Sequence, residues 1–348
     1  MTLQNSANHA TVADLGERGL LALIAPHVLS HRGDVPVGMG DDGAVVRRDD
    51  GSVEILTTDM LVEGTHFLRT AATDWAALGR KAIAVNVSDI AAMGAVPKYA
   101  LVSLGTPACM PAAAIAALYK GMAAEAARWG AALIGGDTVF CPHLIVSVTM
   151  TGAKPDQQPI PLRSNCAAGQ NVFVSGHLGA SRAGLDLIMD GNLKSHIHHP
   201  YAADLIRRHL RPEPRVELGA ALVRIGRPFA MIDISDSLCN ELRLLDEASR
   251  RGFRIETDKI PVSCGLKAFC ADTSRRALDY ALFSGEEYEL LFAMDIDEQR
   301  LKERLHNEGV ETPVARIGVV TDAPEVVFLD VKGKEIMISD MTFLHFGR

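Results

Sequence analysis

The residues of this chain most suited to chemistry are seven aspartates that stand among small or hydroxyl-bearing residues. They are Asp41, Asp42, Asp59, Asp89, Asp137, Asp233 and Asp236, and most of them follow an apolar segment. Carboxylates gathered in this way repel one another unless a cation lies between them, and Mg²⁺ prefers oxygen ligands of this kind. The pattern predicts an enzyme that handles phosphate groups through Mg²⁺.

Two of these aspartates have neighbours that strengthen the prediction. Asp59 follows Thr57 and Thr58, whose hydroxyl groups can also bind Mg²⁺ or its water ligands. Asp89 falls in the last turn of a predicted helix, where the negative end of the helix dipole disfavours a carboxylate, and a bound cation would offset that cost. Alternatively, Asp89 caps its own turn or pairs with Lys98.

The aspartates further along the chain lie beside features that favour anions. Asp137 follows a glycine pair that ends at Gly136, which allows a phosphate to approach the backbone closely. Asp233 and Asp236 flank Ser235 at a predicted junction of strand and helix, where backbone N–H groups attract an anion. Each aspartate alone could be a helix cap or turn residue, but seven in such contexts favour a shared ligand.

Two other motifs suggest different chemistry. Residues 38–43 match the glycine pattern of dinucleotide-binding loops, but two acidic residues would repel a pyrophosphate and a strand rather than a helix is predicted to follow. The segment with His196, His198 and His199 could be a metal site, although its spacing suits no helix face. We favour a solvent-exposed loop for these histidines.

Composition narrows the class of protein. The 348 residues are 48% hydrophobic and 22% charged, with a formal net charge of -8, which is typical of a two-domain globular protein and argues against broad binding to nucleic acid or anionic membranes. The six cysteines form no CxxC pair, and residues 1–13 are polar. We expect a reduced, cytoplasmic protein without a membrane span and without a nucleic acid partner.

Hydrophobic periodicity predicts alternating helices and strands, which is typical of an α/β (α+β) fold. The predicted helices cover residues 14–28, 74–93, 111–129, 181–189, 201–210 and 237–251. The predicted strands cover residues 53–58, 143–152, 171–176, 229–235, 289–294 and 325–329. The polar, proline-containing segment 153–165 indicates a linker. We therefore expect a flexible N terminus over residues 1–13, an N-terminal domain over 14–154 and a C-terminal α/β layer domain over 155–348.

Six segments, taken in order, resemble the thiamine-monophosphate kinase family. They are GMGDDGAVV, TTDMLVEGTHF, KAIAVNVSDIAAMGAVP, GGDT, DISDSL and SGEEYELLF, and together they span most of the chain. The resemblance implies a homodimer whose N-terminal sheets pair into a central β-barrel flanked by helices. It also implies that ATP and several Mg²⁺ ions lie between the domains and that thiamine monophosphate is the second substrate.

The resemblance also implies roles for individual residues. The implied metal ligands are Asp42, Thr57, Thr58, Asp59, Asp89, Asp137, Asp233 and Asp236, with Asp41 adjacent to them. The implied nucleotide-binding residues are Tyr119, Gly136, Asp137, Arg163 and Ser235, and the implied substrate-binding residues are His66, Glu286 and Phe346. Among the metal ligands, Asp59, Asp89, Asp137 and Asp236 are expected to carry catalysis.

The implied reaction is an in-line transfer of the γ-phosphoryl group from ATP to thiamine monophosphate, in which Mg²⁺ screens the repulsion between phosphates. The attacking phosphate oxygen is already ionised near neutral pH, so no general base is required. Two alternatives stay open. One is an ATP-dependent ligase that resembles aminoimidazole ribonucleotide synthetase. The other is a non-catalytic sensor, suggested by Ser237 and Glu287 where the family has glycine and aspartate.

Overall fold

The computed structural model describes residues 11–28, 32–154, 158–226 and 229–338. Phe346 and the first ten residues of the predicted flexible N terminus therefore lie outside the described residues. Within those four ranges, no helix is long and apolar enough to cross a membrane. The helix α1, Val12–Ile24, begins inside the segment predicted to be flexible, because Thr11 and Asp14 cap each other's backbone N–H groups.

A five-stranded mixed sheet forms the first half of the chain. Its strands are β1 (Ala44–Arg47), β2 (Val53–Val62), β3 (Val96–Thr106), β4 (Ala132–Phe140) and β5 (Ile145–Lys154), in the spatial order β1-β2-β5-β3-β4. Only the pair of β3 and β4 is parallel among these neighbours. The helices α2 (Trp75–Ala92) and α3 (Ala112–Arg128) pack with the sheet around one core.

The helix α2 is buried along most of its length and carries one of the aspartates to the centre of the molecule. Asp74 caps its N terminus by accepting a hydrogen bond from the Ala77 N–H at 2.9 Å. Gly79 permits close packing on α3, since a Cβ there would lie 2.0 Å from the Leu118 carbonyl oxygen. The helix ends before Gly94, whose φ of 64° terminates it.

The second half contains a seven-stranded mixed sheet with helices packed on it. Its strands are β6 (Asn171–Ser175), β7 (Ala230–Asp233), β8 (Gly252–Glu256), β9 (Leu290–Met294), β10 (Val314–Thr321), β11 (Val326–Leu329) and β12 (Glu335–Ile336), in the order β12-β11-β8-β10-β6-β9-β7. Its helices are α4 (Ala180–Met189), α5 (Ala202–Leu210), α6 (Val216–Ile225), α7 (Leu238–Ser249), α8 (Cys264–Asp272), α9 (Ala277–Phe283) and α10 (Glu298–Asn307).

The predicted two-domain α/β class is confirmed, with two mixed sheets and packed helices. Every strand and helix predicted from periodicity has a counterpart, although the sequence analysis did not predict β3, β4, α6 or most elements after α7. In the described part of this single chain the first sheet is open, with β1 and β4 at its edges. The dimeric barrel and the domain boundary near residue 155 therefore stay predictions.

Candidate metal and phosphate site

Three aspartates from three separate elements meet in the interior of the molecule. Asp42 precedes β1, Asp89 lies in the last turn of α2, and Asp233 ends β7. One carboxylate oxygen from each lies within 4.8 Å of the others, and Asp42 and Asp233 are only 8% and 2% exposed. The two halves of the chain thus bring together carboxylates that are far apart in sequence.

Hydrogen bonds from small side chains fix this arrangement. The Ser88 hydroxyl donates to Asp233 Oδ2 at 2.6 Å, which ties α2 to β7. The Thr57 hydroxyl donates to Asp89. Side chains alternate along β2, so Thr57 and Asp59 share one face. Thr58 lies on the other face and is exposed, and its hydroxyl donates to the Val148 carbonyl of β5 at 3.1 Å.

The aspartate cluster consists of Asp42, Asp89 and Asp233 together with Asp59, which interacts with Asp89, and its electrostatics favour a cation. Burial raises the pKa of Asp89 well above its usual range, and the charges of Asp59 and Asp233 raise it further. Burial is also the main reason why the pKa values of Asp233 and Asp59 are raised. Asp42 Oδ2 is buried and accepts no hydrogen bond from any described residue. A buried, unpaired oxygen among repelling carboxylates fits a hard divalent cation.

Arg163 provides positive charge beside the cluster. Its guanidinium donates to Asp42, and its backbone N–H donates to Asp41 Oδ2 at 3.1 Å. Burial and the charge of Asp42 raise the pKa of Asp41 to about 7, against the lowering effect of Arg163. Arg163 lies in a short 3-10 helix, Arg163–Asn165, within the predicted linker. This segment therefore forms one wall of the site.

The turn between β7 and α7 carries Ser235 and Asp236. Ser237 caps α7 with its hydroxyl, which accepts from the Asn240 N–H at 3.1 Å. Glu241, which sequence analysis missed because it lies in an apparently ordinary helix, is 1% exposed and accepts from the Asp236 N–H at 3.0 Å. Burial, followed by the charge of Asp236, raises the pKa of Glu241 well above its usual range.

The loop of residues 284–289 lies against this turn. The Glu286 N–H donates to the Ser235 carbonyl at 2.6 Å, and the Tyr288 N–H donates to the Ile234 carbonyl at 2.8 Å. Burial and then the charges of Glu286 and Asp59 raise the pKa of Tyr288. The hydrogen bond to Ser235 holds the backbone of Glu286 next to the turn that carries Asp236.

Other predicted residues of this region have their own contacts. The backbone N–H of Val62 donates to His66 Nδ1 at 3.1 Å. Glu287 accepts from the Ser181 N–H at 3.0 Å at the start of α4. Lys81 and His209, which sequence analysis did not select, both contact Glu286. The Glu287 side chain is thus long enough to bind the N terminus of α4.

The predicted nucleotide residues of β4 lie at the edge of the first sheet. Gly136 has a φ of 154°, and a Cβ there would lie 1.8 Å from the Val102 carbonyl oxygen of β3. Asp137 is exposed, and it is not one of the three aspartates whose oxygens meet. Tyr119 of α3 is half-buried, and burial raises its pKa, while the nearby Thr138 acts in the opposite direction.

The histidine segment is more ordered than its spacing suggested, because residues 191–198 form a 3-10 helix. His198 and His199 are exposed, as expected for a surface loop. His196 Nδ1 lies 3.0 Å from the Tyr201 hydroxyl, and His199 Nδ1 lies 3.2 Å from Asp272 Oδ2. Potential metal-ligand atoms of His196, His199 and Asp272 lie within 4.8 Å of one another, and this group shares no residue with the aspartate cluster.

Comparison with known proteins shows that each half of the chain matches a known domain family. Residues 40–153 match the AIR synthase related protein N-terminal domain, and residues 167–330 match the corresponding C-terminal domain. Thiamine-monophosphate kinase of Bacillus subtilis (strain 168) is 36% identical over 333 residues, which cover 94% of this chain and 96% of that protein. The enzyme of the same name from Aquifex aeolicus (strain VF5) is 35% identical over 324 residues, covering 92% and 96%.

A solved structure shares the whole arrangement. It is described as AaThiL complexed with AMPPCP and TMP, and it superposes with a TM-score of 0.83 at 32% sequence identity. The match covers 97% of this chain and 99% of that one. The similarity therefore extends over both halves and includes the region where they meet.

Proposed function

Because the chain belongs to the thiamine-monophosphate kinase family, we propose that it transfers the γ-phosphoryl group of ATP to thiamine monophosphate, producing thiamine diphosphate and ADP. The observation that carries this proposal is the buried meeting of Asp42, Asp89 and Asp233. The structure of AaThiL with AMPPCP and TMP supports it, since an ATP analogue and TMP are named together in that complex.

We propose that the carboxylates hold several Mg²⁺ ions. The proposed ligands are Asp41, Asp42, Thr57, Thr58, Asp59, Asp89, Asp137, Asp233 and Asp236. Bound Mg²⁺ would supply positive charge that offsets the repulsion between two phosphates during transfer. The unpaired oxygen of Asp42 supports this assignment, whereas the hydroxyl of Thr58 faces β5 and gives it no support. We assign the main catalytic contribution to Asp59, Asp89, Asp137 and Asp236.

The nucleotide is proposed to contact residues around the same cluster, namely Tyr119, Gly136, Asp137, Arg163 and Ser235. Arg163 can form paired hydrogen bonds to phosphate oxygens, and its contact with Asp42 keeps the guanidinium at the cluster. Gly136 lets the backbone of β4 lie close to β3. Tyr119 lies beside Thr138, next to Asp137 in sequence.

Thiamine monophosphate is proposed to bind at His66 and Glu286, with Phe346 as a third contact that lies outside the described residues. The backbone N–H of Glu286 donates to the Ser235 carbonyl at 2.6 Å, so the residues proposed for the acceptor and for the nucleotide are in contact. The acceptor phosphate is ionised near neutral pH and attacks directly. The protein therefore needs to orient the two substrates and requires no general base.

We further propose a homodimer that forms through the first sheet. The edge strand β4 exposes Ile134, Val139 and Phe140 by 59%, 54% and 75%, and β3 exposes Tyr99 and Leu101 beside it. An exposed apolar edge of this size favours a protein partner. A second copy would cover it and would complete the predicted barrel. The domain boundary near residue 155, a cytoplasmic location and the lack of a nucleic acid partner belong to the same proposal.

The direct test is to incubate the protein with ATP, Mg²⁺ and thiamine monophosphate and to identify the products by phosphorus NMR. The expected products are thiamine diphosphate and ADP, and free thiamine should not replace the monophosphate. Nucleotide binding without ADP release would favour the sensor. ADP with inorganic phosphate and no thiamine diphosphate would mean that water, and not thiamine monophosphate, accepts the γ-phosphoryl group, which would contradict the proposal.

A further inference from the structure

We propose that Lys81 and His209 are positioning residues that hold the Glu286 carboxylate for the thiamine moiety of the acceptor. The inference rests on the proposed function, because Glu286 is assigned there to the acceptor. It adds a recognition device in which each half of the chain supplies one residue that holds the carboxylate.

The two residues engage different oxygens of the carboxylate. Lys81, on α2, places Nζ 2.7 Å from Glu286 Oε1. His209, on α5, places Nδ1 3.3 Å from Glu286 Oε2. The side chains of Lys81 and His209 are only 4% and 8% exposed, whereas that of Glu286 is 25% exposed. The partners are therefore buried behind a carboxylate that remains accessible.

The backbone of Glu286 is held as firmly as its side chain. Its φ is 57°, a left-handed conformation that costs a non-glycine residue on the order of 1 kcal/mol. Such a conformation persists when surrounding contacts determine it, and here the Glu286 N–H donates to Ser235 while the carboxylate meets Lys81 and His209. A strained backbone beside the proposed phosphate site is typical of a functional position.

Lys81 and His209 differ in their charge near pH 7. Burial and the charge of Lys81 lower the pKa of His209 to about 4, so its ring is neutral near pH 7. Nδ1 of this ring lies 3.1 Å from the Ser181 hydroxyl and 3.3 Å from Glu286 Oε2, so a proton on Nδ1 has both oxygens as possible acceptors. Lys81 thus contributes charge, and His209 places an uncharged ring nitrogen beside the second carboxylate oxygen.

The carboxylate stays ionised in this setting. Burial raises the pKa of Glu286, but the charge of Lys81 beside the carboxylate outweighs burial, so the pKa is lowered overall. His66 acts in the same direction. An ionised carboxylate fixed at both oxygens retains lone pairs that can accept a hydrogen bond from an amino group or face a cation. Thiamine offers both, through its aminopyrimidine and thiazolium rings, and this chemistry distinguishes it from a simple phosphate ester.

The test compares Lys81→Met with Lys81→Arg, and His209→Leu with His209→Asn, which keeps a donor near the Nδ1 position. Lys302→Met is the matched control, because Lys302 forms a pair of similar length with Glu298, at 2.6 Å, but on the exposed surface of α10. For each variant the KM values for thiamine monophosphate and ATP, kcat and the thermal midpoint are measured.

We expect Lys81→Met and His209→Leu to raise the KM for thiamine monophosphate by about tenfold or more while the KM for ATP changes by less than about twofold. Lys81→Arg and His209→Asn should recover most of the loss, and Lys302→Met should match the wild type. Equal increases in both KM values, or wild-type kinetics in all variants, would overturn the inference.

Two further outcomes are separated by direct binding. If the wild type makes no thiamine diphosphate, the proposed function fails, and calorimetric titration of thiamine monophosphate into the same variants decides the inference by the loss of affinity. If Lys81→Met does not fold, the pair of His209 variants carries the test alone. Unchanged affinity in His209→Leu overturns the inference in either case.

Discussion

Replacing Asp89 with asparagine should stabilise the metal-free protein while abolishing its Mg²⁺-dependent activity. Burial, then the charges of Asp59 and Asp233, raise the pKa of Asp89 in the folded chain well above 3.8. The folded state therefore holds a proton that the unfolded state releases near pH 3.8, and metal-free wild-type protein loses stability as the pH rises. Asparagine does not ionise, so the substitution removes this loss.

The size of the effect follows from the geometry of the cluster. Two carboxylate charges at the upper limit of 4.8 Å that separates these oxygens repel each other by about 3.5 kcal/mol at an effective dielectric constant of about 20. Protonation already relieves part of this repulsion near neutral pH. We therefore expect Asp89→Asn to raise the free energy of unfolding at pH 8 by roughly 1–3 kcal/mol, with little change at pH 5.

The assay is thermal unfolding of chelator-treated protein between pH 5 and pH 8, repeated with millimolar Mg²⁺. Wild type should lose stability with rising pH and regain it with Mg²⁺, whereas Asp89→Asn should show a smaller pH dependence and little response to Mg²⁺. Asp49→Asn, at an exposed position, is the control. A metal-free Asp89→Asn protein less stable than wild type at pH 8, or equally stabilised by Mg²⁺, would refute the reasoning.

Three further predictions concern the walls of the site. Gly136→Ala should prevent folding or ATP binding, because its Cβ would lie 1.8 Å from the Val102 carbonyl oxygen. Gly135→Ala, with a φ of 156° and its nearest contact at 3.5 Å, should reduce the free energy of unfolding by only about 1–3 kcal/mol. Nucleotide titration and thermal unfolding compare the two variants. Ser237→Ala removes the cap of α7 and should lower the free energy of unfolding by about 1 kcal/mol, whereas Ser237→Gly should lower it by only a few tenths. The value of kcat should be unchanged in both variants, and denaturant unfolding and kinetics measure these effects. Burial raises the pKa of Glu287 to about 7, so the stability that the protonated form contributes is lost as the pH rises through 7. Glu287→Gln should therefore reduce the change of the thermal midpoint between pH 6 and pH 8. A pH dependence equal to that of the wild type would contradict this.

The elements with a clear hydrophobic period could be predicted from the sequence. The helix α2 and the strand β2 were among them, and so was the position of Asp89 in the last turn of α2. The strand β4 could not be predicted, because Gly135 and Gly136 lower its strand propensity and its exposed residues give no alternation. Its pairing with β3 is a tertiary effect.

The site residues show the same division between local and long-range information. The aspartates could be selected because each lies in a recognisable local context, whereas Lys81 lies in a run of buried helical residues and its partner Glu286 is distant in sequence. Glu241 lacks a local sign for the same reason. Successive residues of a strand face opposite sides of the sheet, so the sequence alone could have indicated that Thr57 and Thr58 of β2 do not both face the site.

The measurement that tests the central claim most directly is the rate of thiamine diphosphate formation as a function of Mg²⁺ concentration, for wild type and Asp59→Asn, with ATP and thiamine monophosphate saturating. Wild type should show saturable dependence on Mg²⁺ and no product with chelator, and Asp59→Asn should lose at least about 100-fold in rate or require far more Mg²⁺. Undiminished turnover in Asp59→Asn, or Mg²⁺-independent product from wild type, would contradict the claim that the aspartate cluster holds the metal for phosphoryl transfer.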